Sequence, residues 1–343
     1  MRLGIIGLPQ AGKRTVFEAL TAGGGGGHGA EERIGTVKVP DARVERLSEM
    51  YHPRKTIFAQ VEYFLPAMAD GGRDKAGEAP VWARVRDCDA LIHIVRNFSV
   101  YGLEPAVPER DFTHLDQELI LSDLVVAEKR LERLELDKKR GKGVFAEEAD
   151  LLARCRQLLD AETPLRREPD LAAHRLLRGF AFLSAKPTLV LFNNADEDDA
   201  LPPLEGALAQ EACLVVRGKL EQELAQMTPA EVQEFLTEFN IGASAMDRVI
   251  QHSYELMGLI SFFTVGEDEV RAWTIQRQTP AVDAAEVIHS DIKRGFIRAE
   301  VLAYPDLMAA GSYAAARKNG TVRLEGKNYA VQDGDIINFR FNV

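Results

Sequence analysis

The stretch MRLGIIGLPQAGKRTVFEAL, residues 1–20, decides the fold. Residues 3–6 form a short apolar run of strand type. Gly7-Leu8-Pro9-Gln10-Ala11-Gly12-Lys13-Arg14 follows, and Val16, Phe17, Ala19 and Leu20 then recur at helical spacing. A strand that turns through glycines into a helix gathers unpaired backbone N–H groups and the positive end of the helix at one point, which is a seat for phosphate. The spacing matches GxxxxGK[ST] as far as its lysine, whose ammonium reaches the terminal phosphates of a nucleotide. Gly7, Pro9, Gln10, Ala11, Gly12, Lys13, Arg14 and Thr15 are therefore the candidate phosphate-binding residues. The last motif position departs from the pattern. Arg14 stands where a hydroxyl would ligate Mg²⁺, and a guanidinium has no lone pair to give a metal. Thr15 is one residue on, about 100° further round the helix, and replaces that hydroxyl only if the loop moves. The expected cofactor is ATP or GTP, with Mg²⁺ deprived of a protein ligand and Arg14 neutralising phosphate charge in its place.

Working outward, apolar runs of strand type recur at residues 61–65, 90–95, 188–192 and 213–216, several of them separated by helical patterns. Such alternation implies an α/β fold, a mostly parallel sheet with helices on both faces, because parallel strands need long crossovers. The chain has 343 residues, 46% of them hydrophobic and 28% charged, enough for two or three cores without disulfides. Cys88, Cys155 and Cys213 lie far apart, match no metal-ligand spacing and cannot all pair, so a disulfide scaffold and a zinc ribbon are excluded. No apolar run reaches the roughly 18 to 20 residues that cross a bilayer, so no membrane partner is expected. The amino end reads as a mature, cytoplasmic start, since its apolar run is too short for a signal segment. A net charge of −11 argues against broad coating of nucleic acid but leaves room for a local basic patch.

Such a patch falls in residues 111–185, whose texture is helical. Leu124, Ala127, Leu131 and Leu134 make a narrow apolar seam with charged residues on the other faces, and a second helical pattern carries Leu151, Leu152, Cys155, Leu158 and Leu159. The pair reads as a helical hairpin. Between Glu128 and Lys142 seven basic residues face four acidic ones, and Lys138, Lys139, Arg140 and Lys142 crowd the turn. Such a tip suits RNA phosphates; a solvated helix surface is the alternative. Beyond residue 260, strand patterns at 259–265, 269–275, 294–304, 322–324 and 335–341, with helical stretches at 282–289 and 306–318, fit a small mixed sheet gripping a helix. The expected division is a nucleotide-binding domain over 1–110 and 186–260, a helical insert over 111–185 and a carboxyl-terminal domain over 261–343.

GLPQAGKRTVFEALT, IGTVKVPDARVERL, DALIHIVRNF, LILSDLVVAEKRLERLE, LISFFTVGEDEVRAWTI, VIHSDIKRGFIRAEVLAY and LEGKNYAVQDGDIINFRFNV together resemble the YchF or Obg-like ATPase family over nearly the whole chain. The resemblance implies a P-loop domain of the translation-factor GTPase class, a helical insert and a carboxyl-terminal TGS domain of β-grasp fold. It also implies association with ribosomes and translation or stress control, and a frequent preference for ATP.

Several departures bear on activity. The family's DxxG motif aligns with Leu65 for its Asp and Met68 for its Gly, and leucine cannot hold a magnesium-bound water. Asp74 to Gly77 spells DxxG, but well past that strand, and is read as coincidence. In place of a Thr-containing first switch stand the glycines of residues 23–27, then His28 and Gly29, which suggests a mobile loop. Asn193-Asn194-Ala195-Asp196 occupies the place of the base-recognition motif. Asp196 suits the two N–H donors of guanine, Asn194 replaces a lysine that packs over the base, and Lys219 and Glu221 are retained in the last base-contacting loop. Asn193, Asp196 and Lys219 complete the candidate nucleotide site, with a solvated turn as the alternative for the acidic stretch. Two functions compete: a nucleotide-binding scaffold with weak or no hydrolysis, and an active slow ATPase or GTPase acting as a translation or stress-response factor. The losses at Arg14, Leu65, Met68 and the glycine run favour the first.

Overall fold

The computed structural model describes residues 1–23, 32–67, 81–141, 146–238 and 244–342. In chain order its elements are β1 (Arg2–Ile6), α1 (Lys13–Leu20), β2 (Arg33–Lys38), α2 (Ala42–Tyr51), β3 (Lys55–Ile57), β4 (Gln60–Leu65), β5 (Ala90–Asn97), α3 (Pro108–Lys139), α4 (Ala146–Asp160) and α5 (Pro169–Ala172). They continue with β6 (Thr188–Asn194), β7 (Ala212–Val216), α6 (Gly218–Leu224), α7 (Pro229–Glu238), α8 (Ala245–Leu256), β8 (Leu259–Val265) and β9 (Glu269–Gln276). The last are α9 (Ala281–Ile288), α10 (Ser290–Arg294), β10 (Phe296–Ala303), α11 (Tyr304–Ala310), α12 (Tyr313–Lys318), β11 (Arg323–Glu325) and β12 (Asp335–Phe341). They form two compact units, residues 1–36 with 62–249 and residues 37–61 with 250–343.

The first unit holds a six-stranded sheet of order β2-β4-β1-β5-β6-β7. β1 lies between β4 and β5, parallel to both, and β5-β6 and β6-β7 are parallel too. Every residue of β6 is buried, as are the first six of β5, which explains why these strands read as unbroken apolar runs. Leu3, Ile5, Leu91, Ile92, Leu189 and Leu191 fill the interior with no exposed surface. The apolar seam of α3 packs on α4, with Ala127, Leu134, Leu152, Cys155 and Leu159 at its centre. Two polar clusters tie this hairpin to the sheet. The Asp123 carboxylate accepts the N–H groups of Leu183 and Ser184 at 2.9 and 2.6 Å and pairs with Arg86. Arg166 donates to Asp116 at 2.9 Å and to Glu211 at 2.7 Å, and Arg167 adds a 2.6 Å bond to Glu211. Breaking either cluster from one side would strand a buried charge.

The second unit is a mixed sheet of order β11-β10-β12-β8-β9-β3. β8 and β9 form an antiparallel hairpin, β12 runs parallel beside β8, and β10 pairs antiparallel with β12 and β11. Its core gathers Ala281, Ala284 and Ala285 of α9 against Phe262, Ile275, Phe296, Val301, Ile337 and Phe339. This is the small sheet gripping a helix that the carboxyl-terminal pattern implied, a β-grasp arrangement.

Three differences from the sequence reading stand out. Residues 37–61 pack with the second unit, whereas the sequence division put them in 1–110; β3 pairs parallel with the β9 edge. The stretch 306–318 is two helices, because Gly311 turns left-handed at φ 73° and Ser312 Oγ then caps α12 at Ala315 N. The hairpin begins at Pro108, the first residue of α3. Met68, Lys142, Asp74 to Gly77, His28 and the glycines after Gly23 lie outside the described residues, and so do the expectations placed on them.

Candidate functional site

The loop between β1 and α1 is built by backbone geometry that few side chains tolerate. Gly7 has φ 153°, and a Cβ there would come within 2.5 Å of the Ile94 carbonyl oxygen of β5. Gln10 sits at φ 64° and Gly12 at φ 90°, both left-handed, and Ala11 N closes a turn on Leu8 O at 3.3 Å. The chain then enters α1 at Lys13, whose first-turn N–H groups, Arg14 and Thr15 included, point back toward the loop. Backbone donors and helix dipole thus converge on one anion-sized seat.

Lys13 crosses this seat from the inside. Its Nζ donates to the carbonyl oxygens of Gly7 and Leu8 at 2.8 and 2.7 Å. Burial pushes its pKa down to about 8, since an ammonium enclosed with only carbonyl dipoles around it loses hydration. A phosphate anion in the seat would reverse that penalty.

The loop is braced from below by Asn193, the penultimate residue of β6. Asn193 Nδ2 donates to Ala11 O at 3.0 Å, and Asn193 Oδ1 accepts from Gly218 N at 2.9 Å. Gly12 and Gly218, which pack against this amide, are glycines for a reason. A Cβ on Gly12 would stand 2.1 Å from Asn193 Nδ2, and one on Gly218 2.6 Å from Oδ1. The phosphate loop, the end of β6 and the start of α6 are thereby clamped through one side chain. Both ends of the Asn193 amide are engaged by the protein, so this candidate base contact is first of all a strut. The next residue is also structural: Asn194 Oδ1 accepts from Asn97 Nδ2 and its Nδ2 donates to Ala200 O, both at 2.9 Å.

Asp196 and Lys219 come together at the rim. Asp196 Oδ1 accepts from Leu220 N at 3.2 Å, its Oδ2 lies 4.0 Å from Lys219 Nζ, and its side chain is 38% exposed. A carboxylate so placed, beside the clamp and open to solvent, suits a pair of N–H donors on a planar base. Glu221, one helical step on, is buried and used otherwise, accepting from Ser244 Oγ and Ala245 N.

Arg14, in the first turn of α1, directs its side chain along the helix, with Nε 4.0 Å from Glu18 Oε1. Leu65, which the sequence resemblance sets against the Asp of a DxxG motif, is the buried last residue of β4, and its side chain offers no oxygen. Among the described residues no group of three or more His, Cys, Asp or Glu side chains is arranged to hold a metal.

His93 of β5 escaped the sequence reading. It is buried against Phe112, ring centroids 5.1 Å apart, and burial, with Arg166 and Lys13 nearby, lowers its pKa to about 3, so it stays neutral. A cavity of about 310 Å³ opens beside Pro9, Gln10 and Ala11, walled by His93, Arg96 and Arg110. A larger one, about 480 Å³, lies within the second unit and contains no phosphate-binding element. The three cysteines are unpaired, and burial raises each thiol to about 11, which leaves them unreactive at neutral pH. Among the described residues no helix is long and apolar enough to cross a membrane.

A family model, YchF-GTPase_C, described as a protein of unknown function (DUF933), matches residues 259–342. A protein of Bacillus subtilis (strain 168) named ribosome-binding ATPase YchF is 38% identical over 99% of this chain and 99% of its own length. The protein of that name from Pasteurella multocida (strain Pm70) is 35% identical over 100% of this chain and 99% of its own. Among solved structures, the YchF GTPase of Schizosaccharomyces pombe superposes with a TM-score of 0.82 at 27% identity, covering 99% of this chain and 97% of that one.

Proposed function

The chain belongs to the YchF family, and we propose that it is a ribosome-associated, cytoplasmic purine-nucleotide-binding member whose loop works without a firmly held magnesium ion and with little or no hydrolysis. The observation that carries the reading is the clamped loop. Lys13 is poised beneath the seat, Gly12 and Gly218 flank Asn193, and Asp196 and Lys219 stand at the rim where a base would lie.

Support for weak turnover comes from two side chains. Phosphoryl transfer in this fold depends on a metal bridging the outer phosphates and on positioned water. Arg14 brings a second cation and no lone pair, and Leu65 is a buried hydrocarbon where a metal-linked acid would stand. Charge on the triphosphate is then met by Lys13, Arg14 and the helix dipole, which suffices for binding. Asp196 tilts the site toward guanine without excluding adenine. The ribosome contact in this reading is the basic tip of the α3 hairpin, Lys138, Lys139, Arg140 and Lys142, together with a carboxyl-terminal unit acting as a TGS domain.

Titration with ATP and with GTP, each with and without Mg²⁺, alongside a phosphate-release assay, tests this. Binding that Mg²⁺ changes little, with release near background, is expected. The names of the relatives favour a second reading, an active slow ATPase. Robust magnesium-dependent release would establish it and defeat the first.

A further inference from the structure

One turn beyond Arg14, α1 carries a carboxylate that several groups share. Glu18 Oε1 accepts from Arg33 Nη1 at 2.8 Å and lies 4.0 Å from Arg14 Nε, while Glu18 Oε2 accepts from Gln222 Nε2 at 2.6 Å. Three elements therefore meet on one side chain: α1, the first residue of β2, and α6, the helix that begins at Gly218 and carries Lys219. The two cations are not held equally. The Arg33 side chain is 11% exposed and that of Arg14 is 55% exposed. An exposed pair of this i,i+4 kind shifts an equilibrium by only about twofold, so of the two cations Arg14 is the one more readily drawn away from Glu18.

Arg14 also belongs to the turn whose N–H groups form the phosphate seat. A change of rotamer about its flexible stem moves its guanidinium from Glu18 toward a bound triphosphate. We propose that Glu18 is a positioning residue that relays occupancy of the phosphate loop. Phosphates draw Arg14 off the shared oxygen, and the whole Glu18 charge is then left to the bonds with Arg33 and Gln222 that already join the start of β2 and α6 to α1, which strengthens them. This rests on the nucleotide reading above. The coupling is reciprocal by linkage: whatever strengthens the grip of Glu18 on Arg33 and Gln222 frees Arg14 for phosphate. A cavity of about 90 Å³ lined by Phe17, Glu18, Arg33 and Gln222 leaves room for the adjustment.

A double-mutant cycle over Arg14→Ala and Glu18→Gln tests the relay on the full chain, read by ATP and GTP titration and by hydrogen exchange of the β2 amides with and without saturating nucleotide. Glu18→Gln keeps an acceptor for Arg33 and an amide partner for Gln222 but removes the charge that competes for Arg14. It is expected to tighten nucleotide binding about twofold, and that gain should vanish in the Arg14→Ala background. Nucleotide should slow exchange in β2 of the wild type and leave it unchanged in Arg14→Ala. Melting temperatures of all four proteins separate a folding defect from a lost relay. A gain that persists without Arg14, or β2 protection indifferent to Arg14, overturns the relay while nucleotide binding stands. A wild-type chain that takes up neither nucleotide removes the reading beneath it.

Discussion

Asn193→Ala is the most informative single change, because the side chain is buried and both of its bonds are to backbone groups of different segments. Truncation leaves the Ala11 carbonyl and the Gly218 N–H without partners, in a space that two glycines keep too tight for easy collapse. Each stranded neutral group costs roughly 1 to 3 kcal/mol, and the two together about 3 kcal/mol where the loop relaxes in part. For a body the size of the first unit that lowers the melting temperature by roughly 6 to 12 °C. The loop that loses its brace is the one that presents N–H groups to phosphate, so nucleotide affinity should fall by at least about tenfold, beyond what the stability loss itself explains. Asn193→Asp separates the two bonds: it still accepts from Gly218 N but sets a carboxylate against the Ala11 carbonyl. Thermal unfolding followed by circular dichroism and calorimetric nucleotide titration are the assays. An Asn193→Ala protein that melts within about 2 °C of wild type and binds nucleotide equally well would refute the view that this clamp holds the loop.

Three further outcomes are expected. Lys13 has its pKa lowered by burial to about 8 from 10.5, so nucleotide binding should weaken above pH 8 as the ammonium is lost. Folding stability has the opposite sign in that window: between about 8 and 10.5 the unfolded chain holds the extra proton, so the Lys13 contribution to stability rises with pH. Lys13→Met should abolish both trends in pH-resolved titration and denaturation. Arg14→Ser restores a hydroxyl at the motif position, and its nucleotide affinity should become dependent on Mg²⁺ by about tenfold or more, measured by titration with and without the ion; an unchanged profile would place the defect elsewhere. Neutralising Lys138, Lys139 and Arg140 should weaken ribosome co-sedimentation and flatten its salt dependence, whereas unchanged pelleting removes the hairpin from the interface.

The parallel strands were legible because burial on both faces forces continuous apolar sequence, and residues 90–95 and 188–192 fall inside β5 and β6. β2 and β3 left no such trace. β2 spells RIGTVK with only Gly35 buried, and a Cβ on that glycine would meet Thr21 Cγ2 at 2.2 Å, a constraint set by the end of α1. β3 is three residues long with two of them exposed, and exists because β9, more than two hundred positions later, offers an edge to it. No local pattern carries that information. The break at Gly311 was readable in retrospect, since glycine followed by serine is a helix stop followed by a cap, yet small residues on both sides masked it.

The candidate site divides along the same physical line. Its phosphate half is contiguous, residues 7–15, and a backbone turn between strand and helix leaves a glycine and lysine signature that survives even where Arg14 alters the chemistry. Its other half depends on separated segments. Gly218 looks like an ordinary loop glycine until Asn193 Oδ1 is found 2.6 Å from where its Cβ would stand. Glu18 looks like a solvated helix residue until Arg33 and Gln222 converge on it from fifteen and 204 positions away. Residue types in one motif can therefore state which ligand a loop was shaped for. Whether the loop is held rigid and what its occupancy moves are properties of side chains such as Asn193 and Glu18, which join segments with no shared sequence pattern. For this reason a change at Asn193 or Glu18 discriminates between a working nucleotide switch and an inert scaffold more sharply than a change at Lys13, whose loss would weaken phosphate binding in either case.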